Sequence, residues 1–223
     1  MGIRTHKKFE FPLWAELPIE PDMELIEDFL WKEIDHRWED NITAHKGLAV
    51  ASNNIANQTY AHVEHVHLTI PAPVNETLES PDNYSTADKL KQNVSYTMNE
   101  HNWTEPQDFY KGTELESHLN DLFESKLIRT RYSRMKPGGQ VPPHIDYNTT
   151  YAVRWILPIS GNDGVQNLFW DKQGNEHVLN MKEGRIYFLN IGYRHAVYHL
   201  GKSMRHYLIG SLESQEDILH LLK

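Results

Sequence analysis

Leu127-Ile128-Arg129-Thr130-Arg131-Tyr132-Ser133-Arg134-Met135, closed by Lys136-Pro137-Gly138-Gly139, opens the stretch that decides the fold. Side chains alternate across a strand with a period of two, so this mixed apolar and polar run reads as a strand ended by a turn. Similar short apolar or alternating runs recur at residues 151–158, 166–170, 185–191, 196–200 and 204–212. Between them lie Gly161-Asn162-Asp163-Gly164, Lys172-Gln173-Gly174-Asn175 and Gly201-Lys202, which are turn compositions. Many short strands with regular turn signals imply an antiparallel sandwich or barrel. The expected fold is mainly β with flanking helices, a double-stranded β-helix of the jelly-roll, cupin-like kind.

Outward from that core the texture is mixed. The 223 residues suit one domain: a mixed α/β support region over 1–126, the β core with its metal site over 127–212, and a tail or short helix over 213–223. Residues 21–40 place Met23, Ile26, Phe29, Leu30 and Ile34 at helical spacing. Strands are expected over 47–52 and 63–70, and a loop over 71–84. Ser85-Thr86-Ala87-Asp88 and Thr113-Glu114-Leu115-Glu116 resemble capping boxes that open helices. Trp14, Trp31 and Trp38 are expected in the core.

Composition removes several classes of function. With no cysteine there is no disulfide scaffold, thiolate zinc site, iron–sulfur cluster or cysteine nucleophile. A net charge of −9 argues against a nucleic-acid-binding face and fits a small-molecule or peptide substrate. Neither a signal peptide nor an apolar run of membrane-spanning length is visible, which makes the cytosol the expected compartment. Oligomeric state is not legible.

The chemistry lies in Pro143-His144-Ile145-Asp146, in His195, and in Arg205 ten residues further on. His144 and Asp146 would project from one face of a strand. A second histidine from elsewhere would complete two imidazoles and one carboxylate, a facial set with open positions for a bidentate cosubstrate and dioxygen. His195 follows one apolar run and precedes another. His199 rivals it, and His206 should face away from Arg205 because adjacent strand residues point oppositely. Arg205 sits among Met204, Tyr207, Leu208 and Ile209. A buried guanidinium needs a carboxylate, and the far carboxylate of 2-oxoglutarate would pair with it bidentately. A common face for His195 and Arg205 across a hairpin would require a three-residue turn at Gly201-Lys202-Ser203, or a bulge. That register would also aim His199 inward. Of Arg154 and Trp155, one faces the pocket. Arg154 is expected there, to meet a substrate carboxylate, with Trp155 in the core. His62-Val63-Glu64-His65-Val66-His67 invites a second metal-site reading but shows no further ligand at convincing spacing, and is expected to be structural or at the surface, with a place in the substrate pocket as the alternative.

These residues together resemble the aspartyl/asparaginyl β-hydroxylase-like branch of the 2-oxoglutarate oxygenases. The likeness runs through Pro143-His144-Ile145-Asp146, Glu183-Gly184 before Arg185-Ile186-Tyr187-Phe188-Leu189-Asn190, His195-Ala196-Val197, and Arg205. It covers roughly residues 127–212. The resemblance implies Fe(II) held by His144, Asp146 and His195, with the far carboxylate of 2-oxoglutarate on Arg205. It also implies an arginine in the strand after the metal motif, for which Arg154 stands about one position out of register. Some members of the branch lack the carboxylate ligand. Asp146 makes this chain similar to the free-amino-acid hydroxylases instead. The implied activity is hydroxylation of a free amino acid or of a peptide Asp, Asn or Pro side chain, consuming O2 and 2-oxoglutarate and releasing succinate and CO2. Two other readings fit the same triad: a hydrolytic zinc site, and a non-catalytic cupin-like metal- or ligand-binding module.

Overall fold

A computed structural model of the chain describes residues 9–38, 63–72 and 99–222. The strand expected over 47–52, the helix expected at Ser85 and His62 lie outside the described residues, as does the expected loop beyond Ala72. The described strands are β1 (Trp14–Glu16), β2 (Val63–His67), β3 (Thr69–Pro71), β4 (Trp103–Pro106), β5 (Leu127–Met135), β6 (Gln140–His144), β7 (Val153–Ser160), β8 (Val165–Trp170), β9 (Glu176–Leu179), β10 (Tyr187–Leu189), β11 (His195–His199) and β12 (Arg205–Leu212). The described α-helices are α1 (Met23–Phe29), α2 (Glu114–Asp121) and α3 (Glu216–Leu219).

Two antiparallel sheets form the sandwich. One has strand order β1-β10-β7-β12-β5-β2 and the other β6-β11-β8-β9, with β3 and β4 pairing separately. From β5 onward consecutive strands switch sheets, as in a jelly roll, apart from the β8–β9 hairpin. The larger sheet is buried on both faces, which explains the near-continuous apolar run of β7. On its inner face Met135, Ile156, Tyr187, Leu189 and Tyr207 meet Phe169 and Leu179 of the smaller sheet. On its outer face Tyr132, Trp155, Leu157, Phe188, Leu208 and Leu212 meet Ile26, Leu30, Ile34, Leu115 and Leu119 from the helical layer. Each large side chain so buried contributes about 1.5–3 kcal/mol relative to exposure.

Local signals account for the helical layer. Asp22 caps α1 by accepting from the Leu25 N–H, and Thr113 caps α2 by accepting from the Glu116 N–H. The expected 21–40 helix is α-helical over Met23–Phe29, then continues as a π turn at Leu30–Ile34 and a 3-10 turn at Asp35–Arg37. The expected 63–70 strand breaks at Leu68, after which the chain leaves β5 to pair as β3 with β4. Strands β1, β4 and β9 are too short for their patterning to announce them. Among the described residues no helix is long and apolar enough to cross a membrane.

The expected hairpin between His195 and Arg205 does not form. β11 pairs with β6 and β8, whereas β12 pairs with β5 and β7. Residues 200–204 therefore carry the chain from one sheet to the other. His195 and Arg205 look into one interior because their sheets face each other, with no turn register involved. Gly201 is required for a reason other than a left-handed turn. The Asp163 carbonyl oxygen lies 2.0 Å from where its Cβ would be.

Candidate active site

The inner face of the larger sheet presents an ordered polar wall. Alternation along β12 sends Arg205, Tyr207, Ile209 and Ser211 inward. Antiparallel register sets Arg205 opposite Met135, Tyr207 opposite Ser133, and Ile209 opposite Arg131. Beyond β5, Ser133 faces His65 and Arg131 faces His67 on β2. On the other flank Ser211 lies opposite Arg154 of β7.

The smaller sheet supplies the opposing ligands. β6 is an edge strand, where Pro142 and Pro143 cost no ladder hydrogen bond. Its register against β11 slips between Val141 and His144, which places His144 directly opposite His195. The expected common strand face for His144 and Asp146 needs correction. His144 ends β6, and Asp146 lies just past it in the loop, held where its N–H donates to the Ile191 carbonyl (3.0 Å). The loop turns the carboxylate back between the two imidazoles. Asp146 Oδ1 is 3.6 Å from His144 Nε2, and Oδ2 is 4.0 Å from His195 Nε2. One donor atom from each residue lies within 4.8 Å of the others.

Both histidines are oriented by the same device. The Nδ1 of His144 bonds the Pro142 carbonyl at 2.8 Å, and that of His195 bonds the Tyr193 carbonyl at 3.0 Å. Each Nδ1 then carries the proton, and each Nε2 lone pair points toward Asp146. The His195 ring also stacks on Phe169 (centroids 5.7 Å apart). Burial holds the His195 imidazole below its ordinary pKa, favouring the neutral, ligating form. The Asp146 carboxylate facing its Nε2 would stabilise a protonated His144 and raises its pKa, outweighing burial. Burial pushes Asp146 up, but the facing His144 and the nearby cationic groups prevail and keep it ionised.

Arg205 is 1 % exposed and makes no ion pair among the described residues. Its Nε and Nη2 are buried without hydrogen-bond partners. The guanidinium lies over the Tyr207 ring, 4.4 Å from the centroid, and burial lowers its pKa. Arg154 also faces inward, but its register brings it to an internal carboxylate that the sequence did not reveal. Glu100, 3 % exposed, stands on a 3-10 turn over Glu100–Asn102. Its Oε1 accepts from Arg154 Nη2 (2.8 Å) and Arg129 Nη1 (2.7 Å). Its Oε2 accepts from the Tyr147 and Ser211 hydroxyls (2.5 and 2.6 Å). Burial alone would raise the Glu100 carboxyl, but Arg154, Arg129 and Arg131 hold it well below the usual carboxylate range. The arginines still outnumber it. Arg154 Nη1 and Arg131 Nε remain buried without partners. Arg131 is pushed down to about 9 by burial and by repulsion from Arg154 and Arg129.

The rival residues have other employment. His199, fully buried, bonds the Ser203 carbonyl through Nε2 (2.7 Å) and accepts the Gly201 N–H at Nδ1 (3.2 Å), so it staples the sheet-to-sheet crossing. His206 faces the helical layer, with Ser160 and the Trp31 and Trp38 rings. Trp155 is fully buried in the outer-face core. No local signal pointed to Glu100, because Asn99-Glu100-His101-Asn102 carries no motif. Beside the triad an open groove of about 810 Å³ is lined by Phe11, Ile145, Asn148, Trp170, Tyr193 and Arg194.

Comparison with known proteins gives one family. The family model described as aspartyl/asparaginyl beta-hydroxylase matches residues 91–214. No curated protein matches the chain significantly. Solved structures similar to it include a 2OG-Fe(II) oxygenase family oxidoreductase from Burkholderia pseudomallei, 14 % identical over 70 % of this chain and 69 % of that one, with a TM-score of 0.41. A prolyl-4-hydroxylase from Pseudomonas putida is 16 % identical over 91 % and 93 %, with a TM-score of 0.44. Oxalate oxidase in complex with glycolate is 20 % identical over 40 % and 42 %, with a TM-score of 0.32. These likenesses are distant, and the sandwich described above stands on the chain's own strand pairing.

Proposed function

The chain belongs to the aspartyl/asparaginyl β-hydroxylase family, and on that premise we propose that it is an Fe(II)- and 2-oxoglutarate-dependent dioxygenase. Its substrate would be of amino-acid type, free or within a peptide. The observation that carries the reading is the pairing of two features across one interior: a triad of two imidazoles and a carboxylate, and a buried guanidinium with unmet donors. Two neutral imidazoles and one carboxylate suit ferrous iron and leave positions open. The unmet nitrogens of Arg205 suit the far carboxylate of a dicarboxylic cosubstrate. A hydrolytic zinc site would have no use for that second feature.

In this reading His144, Asp146 and His195 hold the metal, and the carbonyls of Pro142 and Tyr193 fix their imidazoles in the ligating orientation. With iron, 2-oxoglutarate and dioxygen bound, the site supplies oxidative chemistry in which one oxygen atom enters the substrate and the other enters succinate as CO2 departs. Arg205 anchors the cosubstrate by its far end. Phe169, Tyr207 and Ile209 line the interior and keep water from it. Arg154, through Nη1, and Arg131, through Nε, offer two further unmet cationic donors, and we assign to them a carboxylate of the substrate. Glu100 holds Arg154 in place by its other nitrogen while Tyr147 and Ser211 hold Glu100.

The test is an anaerobic titration of metal-free protein with ferrous iron and 2-oxoglutarate, following the visible charge-transfer band of the chelate. The band is expected in the parent, absent in His195→Ala, and in Arg205→Ala to require at least about 30-fold more 2-oxoglutarate, given 2–5 kcal/mol for one partner of a buried charge pair. A well-folded, iron-replete parent with no band would overturn the assignment.

A further inference from the structure

The histidine-rich strand β2 faces the cosubstrate end of the interior. Alternation sends Glu64 and Val66 outward, where Glu64 pairs with Arg134 and Lys136. His65 and His67 point inward, opposite Ser133 and Arg131. His65 Nδ1 lies 2.7 Å from the Ser133 hydroxyl oxygen. Ser133 is fully buried, and its neighbour on the other side is Tyr207. The Arg205 guanidinium folds back over that same Tyr207 ring. One row of the sheet's inner face therefore reads His65, Ser133, Tyr207, with the unmet nitrogens of Arg205 drawn into it.

A carboxylate has about four lone-pair sites, and a bidentate guanidinium fills two of them. The next polar group along the row is the Ser133 hydroxyl, which carries a single proton. If Ser133 donates that proton to His65, it turns only lone pairs toward the carboxylate, and the two repel. If the His65 Nδ1–H donates to Ser133, the hydroxyl proton is free to be donated onward. We propose that His65 is a positioning residue for the cosubstrate. By donating to Ser133 it makes that serine a donor to the same far carboxylate that Arg205 binds. The inference rests on the 2-oxoglutarate reading above. It adds a contribution from the part of the chain before the β core, and it gives the His65 side chain a function.

The experiment measures the dissociation constant for 2-oxoglutarate by the anaerobic chelate titration, with iron affinity and melting temperature recorded for each variant. His65→Leu is expected to raise that constant about three- to ten-fold, in line with loss of the one hydrogen bond that orients the Ser133 hydroxyl, with iron affinity unchanged. His65→Asn sets an amide N–H where Nδ1 stood and is expected to return the constant to within about two-fold of the parent. His65→Gln places its amide one carbon further on and should behave like Leu, which keeps the test open if Leu disturbs folding. Ser133→Ala removes the donor itself and should raise the constant at least as much as His65→Leu, and the double variant should match Ser133→Ala alone. An unchanged constant in His65→Leu, or additive effects of the two substitutions, would overturn the proposal. Absence of the band in the parent would instead overturn the cosubstrate reading on which it rests.

Discussion

Replacing Glu100 with glutamine separates charge from shape at the centre of the polar wall. The side-chain oxygen of glutamine still accepts from Arg154 and Arg129, and its amide can donate to the Tyr147 and Ser211 hydroxyls. The hydrogen-bond count survives, and the negative charge does not. Arg154, with its side chain 6 % exposed, then loses its ion-pair partner, and nearby Arg131 loses the one favourable carboxylate acting on it. Arg129, about a third exposed, is screened by solvent and adds little. Removing one member of a buried ion pair costs about 3–5 kcal/mol. Because the hydrogen bonds persist, Glu100→Gln should cost about 3 kcal/mol and Glu100→Ala nearer 5. At roughly 2–4 °C per kcal/mol for a chain of this size, the glutamine variant should melt roughly 6–12 °C below the parent. Thermal and urea unfolding at pH 7 would read both variants. The sign with pH follows from the lowered pKa of Glu100 in the folded protein. Its contribution is complete above its ordinary value of 4.5 and is lost as pH falls through the folded value, so the gap between parent and variant should hold at pH 6–8 and narrow in acid. A Glu100→Gln variant within about 1 kcal/mol of the parent at pH 7, or a gap that does not narrow in acid, would refute the view that this carboxylate neutralises the arginine cluster.

Two further outcomes follow from the same electrostatics. Arg205→Met exchanges an unpaired buried cation for an apolar side chain. It should leave the ligand-free protein as stable as the parent or more so in urea unfolding, yet abolish the stabilisation that saturating 2-oxoglutarate gives the iron-loaded parent. A destabilised ligand-free variant would mean that Arg205 has a protein partner. Ferrous iron affinity should be flat at alkaline pH and fall about ten-fold per unit once pH drops below the raised pKa of His144, since that imidazole must shed one proton to ligate. His195 and Asp146, whose values lie below their ordinary ones, compete for protons only at lower pH. Metal titrations from pH 5.5 to 8.5 would check this, and a slope of two protons would show that His195 titrates as well.

The sequence by itself determined what depends on local period and on residue chemistry. Alternation and turn composition marked β5, β7, β8, β11 and β12 to within two residues at each end, because burial on a pleated sheet leaves a period of two in the chain. Capping chemistry marked the start of α2 at Thr113. That His144, Asp146 and His195 belong together, and that Arg205 is buried, was legible because few residue types suit metal ligation or carboxylate binding in an apolar setting. The tertiary structure alone decided which strands are neighbours. Period says which residues share a face of one strand, but partner choice is non-local, so the expected β11–β12 hairpin proved to be a crossing between facing sheets. The same limit hid Glu100, which meets Arg154 across a separation of 54 residues, and His65, which meets Ser133 across 68. A buried polar group is identified by what lies opposite it, and that is settled when the sheets close on one another.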